Sequence, residues 1–246
     1  MIKIAVVGST GKMGKTIIEV IEKNDNITLG VALDKGDDLN LFLDKFDVLI
    51  DFTRPEASLT YLEICAKNNK KIVIGTTGFN EDELKKIEYF STKIPVVFAP
   101  NMSVGVNLTL KLLEMSAKVI GEDSDIEVVE AHHRYKVDSP SGTALKMGEV
   151  VANALGRDLK QCGVYTRQGV EEPRDKNTIG FSTIRGGDVV GEHTVSFFMD
   201  GERVEITHKA SSRKIFALGA VRASIWLNNQ KNGLYSMTDV LELGDK

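Results

Sequence analysis

The glycine spacing at the start of the chain limits the possible folds more than any other feature. A short apolar run, Ile2 to Val7, leads directly into Gly8-Ser9-Thr10-Gly11-Lys12-Met13-Gly14, and a helical pattern follows from Met13 to Lys23. Glycines placed this way between a strand and a helix let the backbone turn sharply, come close to an anion, and pack helix against strand. The spacing G-x-x-G-x-x-G varies the G-x-G-x-x-G fingerprint of dinucleotide sites, and alone it decides little. A second strand, Ile27 to Leu33, leads into Asp34, which lies 20 residues beyond Gly14. An acidic side chain at that distance accepts from ribose hydroxyls. Lys35 stands next to it, a cation able to receive a 2′-phosphate instead.

The rest of the first hundred residues repeats the alternation. Val48 to Phe52, Ile72 to Ile74 and Val96 to Ala99 are short and apolar on both faces, as buried parallel strands are. Helical patterns cover Pro55 to Asn68 and Glu81 to Ser91, the latter capped by Asn80 with three acidic residues in its first turn. This order predicts a parallel sheet with helices on both faces. Ligands bind beyond the carboxyl ends of such strands, which points to Gly75-Thr76-Thr77-Gly78 and to Phe98-Ala99-Pro100-Asn101-Met102 as loops facing a nicotinamide.

Beyond residue 104 the pattern changes. A helix over Asn107 to Val119, a strand over Ile126 to His132 and a helix over Ser141 to Leu155 precede three extended segments joined by glycine turns, at Thr178 to Ile184, Val189 to Met199 and Arg203 to Lys209. These predict an open antiparallel or mixed sheet with one solvated or partner-covered face. A helix from Lys214 to Asn228 then resumes the first pattern, and a short tail follows. The expected organisation is therefore a first domain of residues 1–102 and 213–246 with a second domain, 103–212, inserted in it.

Charge and cysteine usage exclude several partners. The 246 residues carry 31 basic and 35 acidic groups, a net charge of -4, with no basic stripe to neutralise phosphate backbones, so nucleic acid is not expected. Two cysteines, Cys65 and Cys162, form no disulfide framework or zinc knuckle and fit a reducing cytoplasm. No basic leader and no run of membrane-spanning length is present, so a soluble protein without membrane attachment is expected.

The densest chemistry lies in residues 130–144. His132, His133, Arg134 and Lys136 follow a hydrophobic strand directly. Asp138 or Ser139 can cap the next helix, with Pro140 in its first turn, and Ser141-Gly142-Thr143 then offer N–H groups and hydroxyls to a carboxylate or phosphate. No further His, Cys or carboxylate sits at ligand spacing, so no metal is expected.

The string E-A-H-H-R-Y-K-V-D-S-P-S-G-T-A at 130–144 resembles the bacterial dihydrodipicolinate reductase (4-hydroxy-tetrahydrodipicolinate reductase) family of lysine and diaminopimelate biosynthesis. G-S-T-G-K-M-G at 8–14, I-D-F-T-R-P-E at 50–56, G-T-T-G-F at 75–79, N-M-S-V-G-V-N at 101–107 and E-I-T-H-K-A-S-S-R at 205–213 carry the likeness over essentially the whole chain. The resemblance implies an α/β fold, a Rossmann-like parallel-sheet domain with an inserted α+β domain on an open mixed sheet that builds a homotetramer. It implies hydride delivery from NADH or NADPH to a cyclic, imine-containing dicarboxylate. On matching positions it makes His132 the proton donor or acceptor and Lys136 a second donor, with His133, Gly142 and Thr143 on the substrate carboxylates. Gly8, Ser9, Thr10, Gly11, Lys12, Met13, Asp34, Lys35, Gly75, Thr76, Thr77, Ala99, Pro100, Asn101 and Met102 would line the cofactor. One departure is visible: Asp51 follows Asp34 by only 17 positions, a shorter connection than many members carry, and it bears on cofactor preference. Other readings are an imine reductase like aspartate dehydrogenase, or an NAD(H)-sensing regulator without turnover. The joint presence of His132 and Lys136 favours a reductase.

Overall fold

The computed structural model describes residues 1–169 and 172–244. Two units result, one of Met1–Asn107 with Arg213–Lys246 and one of Leu108–Ser212.

In chain order the first unit holds β1 (Ile2–Val7), α1 (Lys12–Glu22), β2 (Ile27–Leu33), β3 (Val48–Asp51), α2 (Pro55–Lys67), β4 (Lys71–Ile74), α3 (Glu81–Ser91) and β5 (Pro95–Phe98), and α4 (Val104–Ile120) begins in it. All strand pairs of its sheet are parallel. Strand alternation divides the core in two. Ile4, Val6, Ile50, Val73 and Val97 face α1 and a late helix, whereas Ala5, Val7, Leu49, Ile72 and Ile74 face α2 and α3 through Leu62, Cys65 and Ile87. The chain passes from β2 across β1 to β3, so β1 and β3 flank the point where the winding reverses. Gly8 follows β1 at that point, where such sheets bind their ligands.

The second unit holds most of α4, then β6 (Asp125–His132), α5 (Gly142–Ala154), α6 (Leu159–Cys162), β7 (Gly163–Val164), β8 (Ile179–Arg185), β9 (Gly191–Met199) and β10 (Glu202–Ala210). Its strand order is β10-β9-β6-β8-β7, with β6 parallel to β8 and antiparallel to β9, so the sheet is mixed. Ile126, Val128, Phe181, Val195 and Phe197 pack beneath α4 and α5, while Val129, Ile184 and Phe198 stand partly exposed on the opposite face.

Two expectations need correction. The C-terminal stretch is no simple tail: after α7 (Lys214–Leu227), β11 (Gly233–Tyr235) pairs with β5 as a sixth parallel strand, and α8 (Met237–Val240) closes with a Ser236–Asp239 capping box. Three residues are too few for periodicity to reveal a strand. The cap of α5 is Ser141, whose Oγ accepts from the Ala144 N–H at 3.2 Å. Asp138, Ser139 and Pro140 precede that helix, Pro140 after a cis peptide bond, and none of them lies in its first turn.

Candidate active site

In the first unit, the residues expected to line a dinucleotide fall at the carboxyl ends of four parallel strands: Gly8 to Met13 after β1, Asp34 and Lys35 after β2, Gly75 to Thr77 after β4, and Ala99 to Met102 after β5. The loop after β1 is tight. Gly8 has φ +66°, and a Cβ on Gly14 would lie 2.2 Å from the Gly8 carbonyl oxygen. Gly11 is the N-cap of helix α1 and no side chain caps it, which leaves the helix's first N–H groups for an anion. The Asp34 carboxylate accepts from the Thr10 N–H at 2.8 Å, from the Thr10 hydroxyl, and from the Lys35 N–H at 2.8 Å. These bonds, led by the Thr10 hydroxyl, hold its pKa below the ordinary value. Lys35 is exposed. An uncapped helix start, a close-packed glycine turn and an acceptor carboxylate fit a dinucleotide.

Asp51 supports this edge, a role its sequence context did not reveal. Fully buried at the end of β3, it accepts from the Thr53 N–H at 2.9 Å, the Thr53 hydroxyl at 2.6 Å, the Ser58 hydroxyl, and the Thr76 hydroxyl at 3.1 Å. Burial raises its pKa against all four of these bonds. Asp51 thus ties the loop after β4 to the start of α2.

In the second unit, the helix-facing side of the sheet turns from apolar to polar toward the end of β6. Ile126 and Val128 are followed on the same face by Glu130 and His132. Register places Thr183 of β8 on one side of Glu130 and His193 of β9 on the other, with His208 of β10 beyond His193. The Glu130 carboxylate is the hub. Its Oε2 lies 2.6 Å from His132 Nδ1 and accepts from Arg185 Nη1 at 2.8 Å. Its Oε1 accepts from Arg185 Nη2 at 2.8 Å and from the Ser141 N–H at 3.0 Å. Burial alone would raise its pKa, but Arg185, His132 and Ser141 outweigh that and hold it at about 2.

The histidine pKa values are lowered as well, but here burial is the leading cause. Burial pulls His132 below its ordinary value, Glu130 opposes this, and the charges of Lys136 and Arg185 add to it. Burial, with the field of His132, takes His193 down to about 4. Its Nε2 lies 2.9 Å from the Ser141 hydroxyl, and its ring meets that of His132 edge-on at 5.0 Å between centroids. Lys136 pairs with Asp138 at 2.9 Å. Gly142 and Thr143 take the first two positions of α5, where N–H groups have no carbonyl one turn behind them. The fold therefore gathers His132, Lys136 and the start of α5. It does not bring His133 into that network: His133 lies beyond the strand, its ring tilted against Tyr135 at 6.3 Å.

Sequence reasoning gave no role to Glu130, Arg185 or His193. The i, i+2 relation of Glu130 and His132 on a strand was available, since it puts both on one face. Arg185 and His193 reach the site only through pairing of β6 with β8 and β9, which no local pattern announces.

A family model described as dihydrodipicolinate reductase, N-terminus, matches residues 2–102, and one described as dihydrodipicolinate reductase, C-terminus, matches residues 105–241. The chain belongs to the dihydrodipicolinate reductase family. As a dihydrodipicolinate reductase it is an NAD(P)H-dependent oxidoreductase acting in lysine and diaminopimelate biosynthesis. Among solved structures it is similar to a dipicolinate-bound dihydrodipicolinate reductase from Paenisporosarcina sp. TG-14, with 24% identity, a TM-score of 0.80, and 97% of this chain and 98% of that chain covered. A probable dehydrogenase from Thermotoga maritima is similar at 10% identity and a TM-score of 0.61, covering 98% of this chain and 93% of that one. The DAP dehydrogenase of C. glutamicum is similar at 13% identity and a TM-score of 0.53, covering 100% and 96%. These likenesses show that the reductase shares its fold with other dehydrogenases. Among the described residues no helix is long and apolar enough to cross a membrane.

Proposed function

We propose that the second unit binds the cyclic dicarboxylate and supplies protons, with His132 as the acid–base group and Lys136 as a second donor. His133, Gly142 and Thr143 hold the substrate carboxylates. The observation that carries this reading is the polar end of β6, where His132 and the start of α5 hang on one buried carboxylate. In the first unit, Gly8, Ser9, Thr10, Gly11, Lys12 and Met13 hold the pyrophosphate, Asp34 and Lys35 read the adenosine ribose, and Gly75, Thr76, Thr77, Ala99, Pro100, Asn101 and Met102 line the nicotinamide end. When bound, NADH or NADPH supplies a hydride to the conjugated imine.

Hydride addition leaves electron density that a proton must quench, and imidazole suits proton transfer near neutral pH. Burial depresses the His132 pKa, so at neutral pH it is largely the neutral base. Two negative carboxylates close by favour the imidazolium. Substrate binding therefore helps load the donor with the proton it delivers. Lys136 and the N–H groups of α5 answer the same two charges.

The test is the loss of 340 nm absorbance when the protein meets NADH or NADPH and freshly generated substrate. His132→Ala should lower kcat by about 100-fold to 10,000-fold while barely changing cofactor affinity. A variant that keeps near-normal kcat would remove His132 from the mechanism. We also infer a cytoplasmic homotetramer assembled through the open face of the mixed sheet, on which Ile184 is 55% exposed and Phe198 37% exposed. Light scattering should then give about four times the 27.0 kDa chain mass, and a monomeric mass would overturn that assembly.

A further inference from the structure

Glu130 exchanges no proton in the chemistry proposed above, yet its side chain is only 1% exposed and is the hub of the second unit's site. Both oxygens are engaged: Oε2 by His132 Nδ1 and Arg185, Oε1 by Arg185 and the Ser141 N–H. Arg185 grips it in a bidentate fork and also donates to the Asp138 carbonyl at 2.7 Å, so the guanidinium is itself anchored. A carboxylate held this way only accepts hydrogen bonds. The 2.6 Å contact with His132 is therefore favourable only when Nδ1 carries the proton. The other ring nitrogen, Nε2, faces Gly191 of β9, where a Cβ would lie 3.0 Å away, so the glycine leaves room beside it.

We propose that Glu130 is the positioning residue of this site: it fixes neutral His132 as the Nδ1–H tautomer, so that Nε2 exchanges the proton with substrate. Through its other oxygen it ties that ring to Ser141, the cap of the carboxylate-binding helix end. The role assigned to Nε2 rests on the acid–base reading of His132, whereas the tautomer itself does not. A glutamine at 130 keeps the shape, but turning its amide nitrogen toward Nδ1 makes it a donor where an acceptor stood. His132 would then switch to the Nε2–H tautomer, the failure expected when a histidine's orienting carboxylate becomes an amide.

The experiment is long-range ¹H–¹⁵N NMR on ¹⁵N-histidine-labelled enzyme at pH 7.5, where only four histidines need assignment by single substitution. The wild type should show a protonated Nδ1 and an unprotonated Nε2 for His132, and Glu130→Gln should reverse this. In the same variant kcat should fall at least about 100-fold while KM moves only a few-fold. Glu130→Gln combined with His132→Ala should be no slower than His132→Ala alone, because one residue acts through the other. An Nε2–H tautomer in the wild type would overturn the proposal without recourse to any variant. So would a folded Glu130→Gln enzyme with near-normal kcat, or an added loss in the double variant. Near-normal kcat in His132→Ala would sink the acid–base reading, while the wild-type tautomer would still decide whether Glu130 holds the ring.

Discussion

Gly14→Ala puts the first unit's nucleotide loop to a direct test. The new Cβ would lie 2.2 Å from the Gly8 carbonyl oxygen and 2.7 Å from the Ser9 Cα, both backbone atoms. Restoring the 3.0 Å minimum of real contacts means moving α1 or the loop by 3.0 − 2.2, or 0.8 Å at least. Overpacking of this kind costs about 1–3 kcal/mol, and the helix preference of alanine returns up to about 1. A backbone-on-backbone overlap puts the cost near the upper end of that range, so the net loss is about 2 kcal/mol, a fall in Tm of about 4–8 °C. Affinity should suffer separately. A misplaced N–H that loses one charge-assisted bond to phosphate forfeits about 1.5–3 kcal/mol, or roughly 10- to 150-fold in Kd. Thermal unfolding and titration of NADH fluorescence measure the two effects. Gly11→Ala is the control, because its Cβ would meet the Gly8 oxygen at 3.1 Å and needs far less movement. A Gly14→Ala protein with Tm within 1 °C and Kd within about twofold of wild type would refute the steric argument and, with it, the close helix-to-strand approach as a binding requirement.

Acid should weaken the second unit through His193. Its folded pKa is the lower one, about 4 against 6.5, so the unfolded chain takes the proton first and stability is lost as pH falls from about 6.5 toward 4. The span sets a ceiling of about 3 kcal/mol. Urea denaturation at pH 7.5 and pH 4.5 should show a smaller loss for His193→Gln than for wild type, and equal losses would remove His193 as the cause. Cofactor choice should follow Asp34 and Lys35: NADH should be used as well as NADPH or better, because the carboxylate repels a 2′-phosphate and an exposed lysine offsets this only modestly. Lys35→Ala should raise KM for NADPH selectively, and the NADPH reaction should be the more salt-sensitive. Equal losses for both cofactors would assign phosphate recognition to another residue.

Much of this architecture was legible in the chain itself. Runs such as Val48 to Ile50, buried on both faces, announce parallel strands because no polar residue interrupts them, and Asp34 falls at the carboxyl end of β2 as its spacing suggests. Long elements with a clear period were read correctly, whereas β11 is shorter than any period. The cap of α5 was misplaced because Asp138, Ser139 and Ser141 are all competent acceptors, and only the packing of Ser141 against Glu130 and His193 selects one. The hub was partly visible, since Glu130 and His132 share a strand face. Arg185 sits in what reads locally as a glycine turn, and its purpose exists only once β8 lies parallel to β6.

The interrupted first unit also sets a timetable for synthesis. One face of its sheet is covered in part by Ala217, Ala220, Val221, Ala223 and Leu227 of α7, and the edge of β5 is paired by β11. Both arrive more than a hundred residues after β5 has been made. At ribosomal rates of about 5–20 residues per second, that face and that edge wait on the order of ten seconds for their partners. The second unit, encoded without interruption, can close its core before the first unit completes its own. During that interval the nascent chain presents Val48, Ile50, Val73 and Val97 with one covering helix missing, together with an open parallel edge, the kind of surface chaperones shield and other chains pair with.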